Sequence, residues 1–145
     1  METKLNDNKR IVKEYIEKVF NAGNTENIAE YISDEYIEIF QNETYKLGIE
    51  GAIKHVNGVR ETYPDIVLTI ENQIAEGDWV VTCYTMTGTH SGNWMGMKPT
   101  FKKLEITGVD VDRVVNGKIV EHGGAANMLH PFLDIGAIKI IGDDE

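Results

Sequence analysis

Apolar side chains near the start of the chain recur at helical spacing. Ile11, Val12, Tyr15, Ile16, Val19 and Phe20 form one stripe. Asn6 and Asp7 offer caps before it and Gly23 ends it, so a first helix is predicted. Ile28, Ala29 and Ile32 share a face and predict a short second helix over 25–32. Residues 35–40, EYIEIF, read as a strand. Ile49, Ala52, Ile53, Val56, Val59 and Tyr63 make a third helical stripe, closed by Pro64 and Asp65. From Ile66 the pattern turns to strands. IVLTIENQIAE alternates, Gly77-Asp78 turns the chain, and WVVTCYTMTGTH returns. A Gly-rich loop with Trp94, Met95 and Met97 follows, then a strand run through FKKLEITGVDVDRVV. Asn116-Gly117 is the strongest hairpin signal, because both residues tolerate positive φ, and KIVEHGGAANML is its returning strand. Helices followed by an antiparallel sheet predict an α+β fold. No repeat, linker or low-complexity segment divides the 145 residues, which suit a single domain over 1–145.

Composition narrows the partners. The net charge of −10, with no run of lysine or arginine, opposes binding to nucleic acid or to anionic membranes. The acidic end, Asp143, Asp144 and Glu145, reads as a solvated tail. Cys83 is the single cysteine, so no intrachain disulfide forms; its strand context predicts a buried structural thiol and a reducing compartment. The N-terminus lacks an apolar signal core, and no stretch nears the roughly twenty apolar residues of a membrane span. A cytoplasmic protein is expected.

The histidines (His55, His90, His122, His130) are far apart in sequence without ligand spacing, so no metal is expected. No phosphate-cradling Gly loop occurs, and no cofactor is expected. The hairpin carries more. A two-residue turn sets Val114 opposite Ile119, Asp112 opposite Glu121, Asp110 opposite Gly123 and Ile106 opposite Asn127, all on one face. Arg113, Val111, His122 and Gly124 then fall on the other face, with His122 at the surface or a subunit interface. A bulge would exchange the two faces. The acids on the first face suit either a solvated strand or a polar patch inside an apolar cavity. In the second case Asp110 has open space opposite it at Gly123. Burial would raise its carboxyl pKa well above the usual value, so that it could donate a proton near neutrality.

Four segments, NAGNTENIAEYISDEYIEIF, GAIKHVNGVRETYPDIVLTIENQIAEGDWVV, GTHSGNWMGMKPT and GVDVDRVVNGKIVEH, resemble the SnoaL-like polyketide cyclases, also called predicted ester cyclases, over about 8–130, with a tail over 131–145. The resemblance implies a nuclear-transport-factor-two-like cone, with helices packed on a curved antiparallel sheet and a pocket between them. It implies that the other sheet face makes an oligomer interface, here through Val109, Val111, Val115 and Val120 of a homodimer. It implies cofactor-independent aldol ring closure by an acid/base pair. One member falls at Asp110, where some cyclases have His; the partner carboxylate falls at or next to Gly123. Asp112, Glu121, Gly123, Asn127, Trp94 and His55 are then expected around a small apolar carbonyl or ester ligand. In ketosteroid isomerases of the same fold an Asp is followed three residues later by Arg, as Asp110 is by Arg113, but their general base would fall near Ile39 or Phe40 here, which argues against isomerase activity. A non-catalytic module for a hydrophobic ligand is the alternative, and a dimerisation domain a third possibility. A second titratable group beside Asp110 would favour catalysis.

Overall fold

The computed structural model describes residues 1–142; the acidic tail of Asp143, Asp144 and Glu145 lies outside them. The chain opens with α1 (Glu2–Glu14), which runs directly into a π-helical segment (Tyr15–Asn21). It begins before the expected caps at Asn6 and Asp7, and its apolar stripe is buried as predicted at Ile11, Val12, Ile16 and Val19. The second helix shrinks to one 3-10 turn (Ile28–Glu30), because Ile32 already pairs into β1 (Ile32–Phe40). Gln41 and Asn42, both at positive φ, turn the chain into the short β2 (Glu43–Lys46), which the alternation did not reveal. Next come α2 (Gly48–Thr62), β3 (Val67–Glu76), β4 (Trp79–Thr89), β5 (Lys103–Val115) and β6 (Lys118–Asn127). A further short helix, α3 (Leu129–Asp134), follows; of its residues only Leu129 was expected in the last strand.

The strands form one sheet in the order β2-β1-β6-β5-β4-β3. Its pairings are antiparallel except that of β1 with β6, which is parallel. The sheet is therefore mixed rather than purely antiparallel. It is curved and unclosed, and the helices cover its concave face, as the α+β expectation holds.

Two apolar clusters flank the cavity. One joins α1, the π-helical segment, β1 and α2 through Val12, Val19, Ile32 and Val56, with Val80 and Val114 from the sheet. The other joins α2 to α3 through Val59, Tyr63, Ile106 and Phe132. The π-helical segment is tied to its neighbours by polar contacts. Asn21 bonds both the N–H and the C=O of Leu68, at 2.8 and 2.9 Å, and Arg60 donates to the carbonyls of Phe20 and Asn21. This fixes Tyr15, Ile16 and Phe20 against the cavity; π-helical turns often serve that purpose.

Cys83 is half-buried on the convex face, opposite Val109, rather than buried in the core. No described helix is long and apolar enough to cross a membrane.

Candidate functional site

The geometry of the site turns on one extra residue. Asn116 and Gly117, at φ of 51° and 77°, make the predicted tight turn, and Val114 faces Ile119 as expected. The register then shifts: Arg113 pairs with Glu121, so Val120 is a bulge residue. A bulge moves every later side chain to the opposite face. Beyond it Asp112 pairs with His122, Val111 with Gly123, Asp110 with Gly124 and Thr107 with Asn127.

The consequences correct the unbulged register. His122 joins Asp110 and Asp112 on the concave face, while Glu121, Gly123 and Asn127 alternate onto the convex face and do not line the cavity. The residue facing Asp110 is Gly124, not Gly123. Its φ of 153° and the lack of room explain the glycine. An added Cβ would sit 2.2 Å from the carbonyl oxygen of Val109. Gly108 is crowded for another reason: a Cβ there would meet the phenol oxygen of Tyr84, which pairs across from it, at 2.5 Å and the carbonyl oxygen of Ala125 at 2.8 Å.

The cavity measures about 190 Å³. Its wall is mostly apolar, with Ile16, Phe20, Val59, Leu68, Met86 and Ile106 contributing. Asp110, Trp94 and His55 line it as expected; Asp112 lies beneath the wall, buried. Trp94 sits in the Gly-rich loop, bridged to Met97, with its ring 5.8 Å from that of Tyr63. The Trp94 Nε1 and Tyr63 hydroxyl groups are buried without a hydrogen-bond partner.

Polar groups gather at one end of the cavity. His122 donates from Nδ1 to Asp112 Oδ1 at 2.7 Å, which fixes the ring. Its Nε2 stands 3.9 Å from Asp110 Oδ1. That gap is too long for a direct hydrogen bond and wide enough for one ligand oxygen to contact both groups. Burial pushes the Asp110 carboxyl up to about 6, against the pull of the His122 charge and with help from Asp112. For His122, burial alone would lower the pKa. The charge and hydrogen bond of Asp112, with the charges of Asp110 and Glu38, outweigh it and push the imidazole up to about 10. The pair thus holds an imidazolium beside a carboxyl that titrates close to neutrality.

Glu38, absent from the sequence expectations, lines the same cavity. The parallel pairing of β1 with β6 sets it next to His122. It accepts hydrogen bonds from Tyr36 Oη at 2.9 Å and from His55 Nδ1, both on Oε1. Burial would raise its carboxyl pKa, but the bond and charge of His55, followed by the charge of His122, hold it below the ordinary range. The signal in the sequence was the alternation Tyr36, Glu38 on the buried face of EYIEIF.

Asp110, Asp112 and His122 offer one ligand atom each within 4.8 Å of one another, a constellation that the sequence spacing concealed. As a metal set it fits poorly. Nδ1 is committed to Asp112, so only Nε2 and Asp110 face the opening, and the imidazole holds its proton.

Comparison with known proteins gives the family and the fold. The pattern of the SnoaL-like polyketide cyclase family matches residues 10–135. Nogalonic acid methyl ester cyclase of Streptomyces nogalater is 33 % identical over 108 residues, covering 71 % of this chain and 78 % of its own. Aklanonic acid methyl ester cyclase DnrD of Streptomyces peucetius is 26 % identical, covering 94 % of this chain and 92 % of its own. The crystal structure of a SnoaL-like protein from Jannaschia Sp. CCS1 superposes with a TM-score of 0.82 at 24 % identity, over 92 % of this chain and 94 % of that one. This chain belongs to the SnoaL-like polyketide cyclase family.

Proposed function

We propose that this protein catalyses cofactor-independent, intramolecular aldol-type ring closure of a small apolar carbonyl or ester substrate in the cone pocket. The observation that carries the reading is the pair Asp110 and His122, 3.9 Å apart in a cavity whose wall is otherwise mostly apolar. The His122 imidazolium donates to a carbonyl oxygen as it gains enolate or alkoxide charge, a role strengthened by exclusion of water. Asp110 is the acid/base residue that exchanges a proton with that oxygen. Asp112 is a positioning residue, since it reaches the substrate only through His122. A purely ligand-holding module needs Asp110 alone; the second titratable group within its reach favours catalysis.

The relatives that carry the names of nogalonic and aklanonic acid methyl ester cyclases support a polyketide ester as the substrate. Residue types at the acid/base positions would be exchanged relative to the resemblance: a carboxylate on β5 and a histidine on β6. We read the chain as one domain, acting in the cytoplasm as a homodimer joined through the convex sheet face. The test is incubation with aklanonic or nogalonic acid methyl ester, followed by chromatography with mass detection. Ring closure yields an isomer of unchanged mass. The wild type is expected to form it and Asp110→Asn to form at least about 100-fold less. Unchanged turnover in a folded Asp110→Asn protein removes Asp110 from the mechanism.

A further inference from the structure

We infer that Glu38 is a second catalytic group of this site, the base that removes the carbon-bound proton, while Asp110 and His122 serve the carbonyl oxygens. The inference rests on the cyclase reading and divides its labour. Glu38 and the Asp110–His122 pair line one cavity, on strands β1, β5 and β6 that lie side by side. Both hydrogen bonds to Glu38, from Tyr36 and His55, fall on Oε1. No described residue bonds Oε2, so that oxygen keeps a free lone pair for a proton. The groups that act on Glu38 are Tyr36 on β1, His55 on α2 and His122 on β6, while the charge of Glu38 is felt in turn by Asp110 on β5 and Tyr15 on the π-helical segment.

The two centres are poised oppositely. Glu38 is held in its carboxylate form and is ready to accept a proton. The Asp110–His122 pair retains protons near neutrality and is ready to donate. The His55 side chain is 43 % exposed and that of Glu38 15 %, so the half-buried carboxylate is bonded to a ring that reaches water.

A carboxylate is a weak base, so the reading suits an ester whose C–H is acidified by a second electron-withdrawing group, with a ketone elsewhere in the same molecule. Glu38 takes the C–H proton, and the bonding pair becomes the enolate, whose oxygen the His122 N–H holds. The enolate carbon then forms a bond to the ketone carbon, and the C=O π pair moves to the ketone oxygen. That oxygen takes a proton from the Asp110–His122 pair. One proton has left carbon and one has been added to oxygen, so the product is an isomer. Glu38 releases its proton to solvent, and the Asp110–His122 pair regains one from solvent.

The experiment follows deuterium uptake at the single acidic carbon of methyl 2-methylacetoacetate by NMR, beside the ring-closure assay. Wild type is expected to accelerate uptake. Glu38→Gln should slow it by roughly 100-fold while melting as wild type does, and Glu38→Asp should recover part of the rate. Asp110→Asn should lose ring closure yet keep carbon exchange well above that of Glu38→Gln. If Glu38→Gln does not fold, the wild-type pH profile decides. A rate that holds as pH falls past 6 supports Glu38, and a half-loss near the Asp110 value of about 6 overturns it. No acceleration by wild type, or wild-type exchange by folded Glu38→Gln, also overturns the inference. Loss of exchange in Asp110→Asn alone would do so while leaving the cyclase reading intact. Glu38-dependent exchange without any ring closure would support the inference and sink the cyclase reading.

Discussion

At His122 three carboxylates act on one imidazole. Asp112 holds Nδ1, Asp110 faces Nε2, and Glu38 adds its charge from β1. The raised pKa makes the proton part of the folding equilibrium. Because the folded value lies above the unfolded 6.5, the stabilisation is fully present below about pH 6.5 and is lost as pH rises through about 10. Denaturant midpoints of the wild type should therefore fall across that window. His122→Asn should flatten the fall over the same interval. A wild-type curve no steeper than that of the variant would show that His122 gains no proton affinity on folding. Asp110 contributes in the same direction at lower pH, over the interval between its ordinary 3.8 and about 6. Glu38 opposes it, since its depressed pKa stabilises above the ordinary carboxylate value and that contribution is lost as pH falls.

Among the elements, β6 determines what the cavity contains. The Asn116-Gly117 turn and the pairing of Val114 with Ile119 were legible in the sequence, because turn chemistry and alternation are local. The bulge at Val120 was not. It reflects the curvature of the whole sheet and the parallel pairing with β1, both of which are long-range. One residue of slip then moved His122 inward and Glu121, Gly123 and Asn127 outward. Glu38 was missed for a similar reason: its neighbour across the parallel β1–β6 pairing cannot be read from a chain in which the two strands are far apart. By contrast, the stripes of α1 and α2 and the alternation of β3, β4 and β5 were recognisable, since each buries one face against a single partner layer. The two glycines of β6 now separate by role. Gly124→Ala forces a Cβ toward the Val109 carbonyl at an unfavourable φ and should destabilise by roughly 1–3 kcal/mol or more. Gly123→Ala meets only Ile39 at 3.4–3.5 Å and should change stability by less than about 0.5 kcal/mol. Urea unfolding of both variants checks the difference, and equal losses would contradict the bulged register.

For the whole molecule, the concave face is filled by helices and the convex face is left with apolar side chains in water. Val67 is 48 % exposed, Ile74 58 %, Trp79 39 % and Val109 36 %. Apolar exposure of this kind on one face suits the proposed homodimer about a two-fold axis. Light scattering at micromolar concentration should give twice the mass of the chain, and Val109→Asp should lower it to one; a stable wild-type monomer would contradict the assembly. The central claim concerns the other face, where an apolar cone shields an acid/base pair. The most direct measurement is a carboxyl-carbon NMR titration of Asp110 in the wild type and in His122→Asn. The account predicts a wild-type midpoint near 6, and a higher midpoint in the variant because the cation that favours the carboxylate has been removed. A wild-type midpoint near the ordinary 3.8, unmoved by His122→Asn, would place Asp110 in water and contradict the account.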